Sequence, residues 1–273
     1  MLHEKIQIDI SKQLNVKQEA YLYTYILDNS PEIDTNRIRP MILVCPGGGY
    51  GFTSDREAEA IAIKFLSMGY HAAVLRYSVS PATYPTALME LAYSMNVIRE
   101  NAEVWHVDKD RIVVTGFSAG GHLVASLGMF WNRELIRNTL NISSDMVKPN
   151  ALILCYPVIT SGKYAHRDSF KNLLGERYDE LVDEMSLENQ VSEDTPPTFI
   201  WHTFEDGLVP VENALLLATA LKEKNILTEL HIYPRGGHGL SLATKETAYQ
   251  NEFSIQEDCA NWIDLANTWI KNL

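Results

Sequence analysis

The residues with the clearest chemical potential are Gly116-Phe117-Ser118-Ala119-Gly120, a G-x-S-x-G pentapeptide. It lies between an apolar, strand-like run (Arg111 to Thr115) and a stretch of helical spacing (Ala119 to Met129). A serine on a sharp strand-to-helix turn presents its hydroxyl at the top of a sheet, and small residues on either side let the two elements close together. Gly116, Gly120 and Gly121 supply that room. The chemistry implied is nucleophilic attack on a carbonyl. A serine hydroxyl attacks only when a base takes its proton, and the base needs an acid to orient it.

The partners of such a serine follow it in the order Ser, Asp or Glu, His. Of the eight histidines, His3, His71 and His106 precede Ser118. His122 is one turn along the serine's own helix and reads as packing. His166 falls in an inserted polar segment, and His202 lies in or at the end of a strand ahead of the best acid. His231 alternates with Leu230 and Ile232 inside a strand and reads as structural. His238 stands in Arg235-Gly236-Gly237-His238-Gly239, a glycine loop after that strand, and is the expected base. Asp206 follows the strand Thr198 to His202 in the turn before Gly207 and is the expected acid, with Glu205 its rival. Asp258 and Asp264 come after His238, on the closing helix, and read as solvated charges.

Acyl transfer also needs N–H donors for the developing oxyanion. Ala119, directly after the nucleophile, offers one. Gly47-Gly48-Gly49, after the apolar run Met41 to Cys45, offers others, because glycine lets the backbone approach without a Cβ. A phosphate-cradling reading of these glycines fails for want of G-x-x-x-x-G-K-[ST] or G-x-G-x-x-G. H-E-x-x-H and C-x-x-C are absent too, so neither a metal nor a cofactor is expected.

The elements that must position these residues alternate. Ile6 to Ile10 and Tyr21 to Leu27 read as an antiparallel entry to a sheet. Strands at 41–45, 71–76, 111–115, 151–155, 198–202 and 228–233 then alternate with helices at 58–66, 87–98, 119–129, 211–224 and from about 255 to 270. This predicts an α/β class with a mostly parallel sheet and helices on both faces, in one domain over residues 1–273. From about Ile159 to Pro197 the alternation breaks. Phe170, Leu173, Leu174, Tyr178, Leu181, Val182 and Met185 recur at helical spacing there, which predicts a small helical cap.

The chain has 273 residues, 46% hydrophobic and 21% charged, with a formal charge of −12. That balance excludes disorder and argues against a nucleic-acid partner. The N-terminus lacks a signal-like apolar stretch and no run is long enough for a membrane span, so a cytoplasmic location without membrane contact is expected. Cys45, Cys155 and Cys259 are odd in number and widely spaced, and read as buried free thiols.

From Arg39 onward the chain resembles the α/β-hydrolase esterases, in particular the acetyl esterase and acetylxylan esterase-like group. The resemblance is carried by Cys45 to Tyr50 (CPGGGY), Asp110 to Leu123 (DRIVVTGFSAGGHL), Asp206 to Pro210 (DGLVP) and Gly236 to Gly239 (GGHG). It implies an α/β-hydrolase fold, a triad of Ser118, Asp206 and His238, and an oxyanion hole of Gly48, Gly49 and Ala119. Pro46 departs from it, standing where many relatives carry the histidine of an H-G-G-G loop. The implied activity is serine carboxylesterase action, through an acyl-enzyme, on short-chain esters, acetyl above all, of small molecules such as acetylated sugars. Tyr50 and Tyr156 could offer flat faces and hydroxyls to a sugar. Two other readings share the scaffold: a peptidase or amidase, for which 273 residues leave no gating propeller, and a catalytically silent binding protein, against which the intact triad argues.

Overall fold

In the computed structural model, which describes residues 1–14, 19–250 and 253–273, eight strands form one sheet. They are β1 (Lys5–Ile8), β2 (Ala20–Tyr25), β3 (Arg39–Cys45), β4 (His71–Arg76), β5 (Val107–Phe117), β6 (Ala151–Cys155), β7 (Thr198–Thr203) and β8 (Thr228–Tyr233). Their order is β1-β2-β4-β3-β5-β6-β7-β8. β1, β2 and β4 pair antiparallel, and every pairing from β4 through β3 to β8 is parallel. The antiparallel entry and parallel body expected from the sequence are both present.

β6 and the Met41–Cys45 stretch of β3 are apolar at every position because both faces of the sheet are covered there. Met41, Leu43, Leu152 and Leu154 point to one face, where they meet the helices Thr86–Glu100, Ala119–Phe130 and Glu212–Glu223. Ile42, Val44, Ile153 and Trp201 point to the other, against Glu59–Ser67 and Trp262–Lys271. Period-2 alternation therefore builds two cores from one set of strands.

Several boundaries differ from the sequence reading. β5 begins at Val107, four residues earlier than expected, since Arg39 pairs with Val107 across a register shift. The closing helix begins only at Trp262, after turns over residues 257–261. Asp258 thus sits on an exposed turn before that helix, while Asp264 is on the helix and exposed, as expected. Residues 159–197 carry short helices at Arg167–Leu174 and Tyr178–Leu181, and Phe170, Leu173, Leu174 and Leu181 turn inward to the core. Cys45, Cys155 and Cys259 are free and buried. Among the described residues no helix is long and apolar enough to cross a membrane.

Successive strands run outward from β3 in opposite directions, to β4 on one side and to β5 on the other. At such a switch the loops leaving the carboxyl ends diverge and open a crevice. Cys45 and Gly116 are paired across this boundary, so the glycine loop after β3 and the serine turn after β5 emerge side by side.

Candidate active site

Ser118 occupies the turn between β5 and Ala119–Phe130 with φ 52° and ψ −118°. A side chain rarely adopts this backbone, and holding one there costs about 1–3 kcal/mol. The surroundings fix it. The Ser118 N–H donates to the Cys155 carbonyl at 3.0 Å, and its own carbonyl accepts from Val158 N–H at 3.1 Å. The flanking glycines are sterically required: a Cβ on Gly116 would lie 2.3 Å from the Gly120 carbonyl oxygen, and one on Gly120 would lie 2.2 Å from that of Cys45.

His238, in the loop after β8, reaches Ser118 Oγ through Nε2 at 2.7 Å and Asp206 Oδ2 through Nδ1 at 2.6 Å. A carboxylate only accepts, so Nδ1 carries the hydrogen and Nε2 is left as an acceptor for the serine hydroxyl. Asp206 is buried, and its other oxygen, Oδ1, accepts from the Leu208 and Val209 amides at 3.0 and 2.9 Å. Burial alone would raise this carboxyl. Hydrogen bonds from His202, His238 and the Val209 amide outweigh it and hold Asp206 well below the usual carboxylate range. The three residues expected to act together are therefore brought into one hydrogen-bonded chain. Glu205 instead points outward, and its carboxylate accepts from the Gly236 amide at 3.3 Å.

Gly48 (φ 130°) and Gly49 (φ 61°) lie beside this chain. Turn bonding in their loop uses the amides of Gly51, Phe52 and Ser54, donating to the carbonyls of Gly48 and Gly47. Among the described residues the amides of Gly48, Gly49 and Ala119 have no protein acceptor, which leaves them available to a ligand oxygen. A cavity of about 320 Å³ opens over Ser118 and His238, walled by Gly48, Gly49, His166 and Leu208. A hollow of about 500 Å³ beside Tyr25 and Arg76 is larger, yet it holds no nucleophile and base in contact. Chemistry marks the site here, and size does not.

The other histidines are placed elsewhere. His122 donates from Nε2 to the Met185 carbonyl at 3.0 Å and accepts the Tyr50 hydroxyl at Nδ1 at 2.9 Å. Burial lowers its pKa to about 4, so it stays neutral as a packing residue. His231 contacts Glu229 and the ring of Phe199. His166 contacts Ser169 Oγ at 2.8 Å and lines the cavity. His202 is buried with Nε2 between the Val209 carbonyl (2.8 Å) and Asp206 Oδ2 (3.2 Å).

Tyr50 and Tyr156 correct the sequence reading. Neither faces the cavity; they are 3% and 1% exposed. The Tyr50 hydroxyl is spent on His122. Tyr156 packs edge-on against His238 at 5.1 Å between ring centres, and its hydroxyl donates to Glu57 Oε1 at 2.6 Å while accepting from the Ser241 amide at 2.9 Å. Glu57 itself was missed. Its second oxygen accepts from the Gly47 amide at 2.8 Å, so one buried carboxylate ties the glycine loop to the histidine loop. In sequence it precedes a helical stretch and looks like an ordinary first-turn acid.

Comparison with known proteins agrees with this architecture. Residues 28–221 match the family model described as BD-FAE. The chain is 40% identical over 213 residues to endo-1,4-beta-xylanase B of Butyrivibrio fibrisolvens, covering 76% of this chain and 33% of the relative. It is 30% identical over 229 residues to an acetylxylan esterase of Xylanibacter ruminicola, covering 81% and 45%. The chain thus spans a third to about half the length of these curated relatives. The crystal structure of an acetyl ester-xyloside bifunctional hydrolase from Caldicellulosiruptor lactoaceticus superposes with a TM-score of 0.81 at 35% identity, over 98% of this chain and 96% of that one. With most of its length inside the family model and a serine turn, glycine loop and late histidine meeting at the carboxyl ends of the parallel strands, the chain belongs to the BD-FAE family of α/β-hydrolases.

Proposed function

We propose that this protein is a serine carboxylesterase that hydrolyses short-chain acyl esters, acetyl esters in particular, on carbohydrate alcohols. Ser118 is the nucleophile, His238 the general base and then acid, and Asp206 the group that orients and stabilises the imidazolium. The observation that carries the reading is the continuous chain Ser118 Oγ, His238, Asp206 at 2.7 and 2.6 Å. In the first half-reaction Oγ attacks the ester carbonyl as its proton passes to His238 Nε2. The oxyanion meets the amides of Ala119, Gly48 and Gly49, and the protonated imidazole returns the proton to the leaving alcohol. Water repeats the sequence on the acyl-enzyme.

The acyl and sugar halves of the reading draw on the relatives named for acetyl ester and acetylxylan hydrolysis. The short, partly polar segment 159–197 supports it, acting as a cap: its apolar stripe is used on the core and leaves no broad apolar underside for a long chain. We read the chain as one domain and, given three free thiols, as a cytoplasmic protein. The test is kcat/KM across p-nitrophenyl esters from C2 to C12, with acetate release from acetylated xylose measured in parallel. A maximum at C2 to C4 together with acetate release is expected, with activity lost in His238→Ala and largely kept in His231→Ala. A maximum at C8 or beyond refutes the short-acyl reading, and no acetate from any sugar ester refutes the carbohydrate half.

A further inference from the structure

One cation stands in the wall of the cavity over Ser118. Arg56 lies beside the loop that carries His238, and a Cβ built on Gly239 would be 3.8 Å from its Nη1. The guanidinium is held but barely used. Nε donates to the Thr247 carbonyl at 2.5 Å, and Cζ sits 3.8 Å over the ring of Tyr249. Nη2 is buried without a hydrogen-bond partner, and among the described residues Nη1 has none either.

No ion pair among the described residues includes Arg56. Its neighbour Glu57 has both oxygens committed to Gly47 and Tyr156. Buried donors left unsatisfied are rare and costly, at about 1–3 kcal/mol each. A purely structural pin for residues 247–249 would need only the Nε–H and the ring contact. In a chain of net charge −12, a guanidinium that is unpaired among the described residues and shares a cavity wall with Ser118 and His238 is a selective feature.

Arginine is the side chain best suited to a carboxylate, and a charge-assisted bond is roughly twice as strong as a neutral one. The cavity of about 320 Å³ is near the lower end of small-ligand pockets, about 300–1,000 Å³, and suits a single sugar ring. We propose that Arg56 determines specificity by binding a carboxylate on the alcohol portion of the ester, so that acylated uronic-acid sugars are preferred over their neutral counterparts. This rests on the esterase reading above. The charge belongs to the alcohol because an acetyl group has none to offer.

The test uses the full chain and two matched substrates, a mono-O-acetylated methyl glucuronoside and the corresponding methyl glucoside, which differ only in carboxylate against hydroxymethyl at C6. Acetate release gives kcat/KM for each, at low and high salt. The expected result is a preference for the acid of about tenfold or more, weakened by salt as an ion pair would be. Arg56→Gln should bring the ratio close to one, chiefly through KM for the acid, and Arg56→Lys should retain part of it. A wild-type ratio at or below one overturns the proposal. So does an Arg56→Gln loss equal for both sugars, which would make Arg56 a pin for the 247–249 segment. p-Nitrophenyl acetate, assayed beside them with Ser118→Ala as blank, separates the two readings. Turnover of that ester without discrimination between the sugars sinks only the Arg56 proposal, whereas no turnover of any ester sinks the esterase itself.

Discussion

Replacing Asp206 by asparagine tests the site most sharply, because the hydrogen bonds around this residue dictate how the amide must sit. The Leu208 and Val209 amides converge on Oδ1 and can only donate, so the asparagine oxygen has to take that place. Its NH₂ group then occupies the position of Oδ2, facing His238 Nδ1 and His202 Nε2. His238 can accept from the NH₂ only by moving its hydrogen from Nδ1 to Nε2. That tautomer presents an N–H to Ser118 Oγ and can no longer remove the serine proton. The loss in kcat should approach the roughly 10⁴-fold known for this change in a serine protease triad, which is about 5.4 kcal/mol of barrier. His202 meets the new NH₂ as donor against donor, leaving one buried group unsatisfied at about 1–3 kcal/mol.

The stability cost should lower Tm by roughly 2–10 °C for a domain of this size. It should also depend on pH in a stated direction. The folded Asp206 carboxyl lies below its unfolded value of about 3.9. Its contribution is therefore complete above that pH and is lost as pH falls towards the folded value. The gap between wild type and Asp206→Asn is full at pH 7 and narrows below about pH 4. The assays are p-nitrophenyl acetate turnover and thermal melting from pH 3 to 8. A kcat within about 100-fold of wild type, or an equal loss in Glu205→Gln, would refute the assignment of Asp206 as the orienting acid.

Ser118→Ala and Ser118→Gly should both be inactive, but the glycine variant should melt higher, since φ 52° with ψ −118° strains any side chain and glycine escapes about 1–3 kcal/mol of that strain; equal melting temperatures would mean the turn is unstrained. Glu57→Gln keeps shape but offers one acceptor to two donors, Gly47 N–H and Tyr156 O–H, so kcat should fall by about 10- to 100-fold with KM within about threefold. A lowered Tm with unchanged kcat would reduce Glu57 to a structural role. Glu90 is buried on Ser78, and burial lifts its carboxyl to about 7. A raised folded pKa contributes stability below the unfolded value of about 4.3, and that contribution is lost as pH rises through 7. Glu90→Gln should accordingly raise Tm by several degrees at pH 8 and leave it unchanged at pH 4, and a uniform shift at both would contradict the cause assigned to Glu90.

What the sequence made legible, and what it did not, divides along the reach of the interactions. Ser118 could be read because part of what it requires is local: a Cβ on Gly116 would strike the Gly120 backbone within the same turn, whereas Gly120 answers to the remote end of β3 at Cys45 and Pro46. His238 could be read because glycines flank it in a loop directly after a strand. Asp206 was separable from Glu205 only by turn position; in the fold the first is buried against His238 and the second is exposed. The closing helix is shorter than the spacing predicts: Cys259 sits at helical spacing from Trp262 and Ile263, yet it is held in a turn where its amide donates to the Gln256 carbonyl.

Tyr50 and Tyr156 mark the limit more exactly than any boundary does. Both stand in loops beside the nucleophile, where an aromatic residue could equally face a ligand or the core. The backbone decides: φ is 57° at Tyr50 and 38° at Tyr156, a left-handed conformation that tyrosine does not favour and that no local pattern announces. It is maintained by partners remote in the chain, His122 for Tyr50 and Glu57 for Tyr156, 72 and 99 residues away. Those same bonds couple the glycine loop to the serine helix and to the histidine loop. The two tyrosines therefore belong with the groups that hold the reacting atoms in place. The wall of the cavity over Ser118 is formed instead by other side chains, His166 and Arg56 among them.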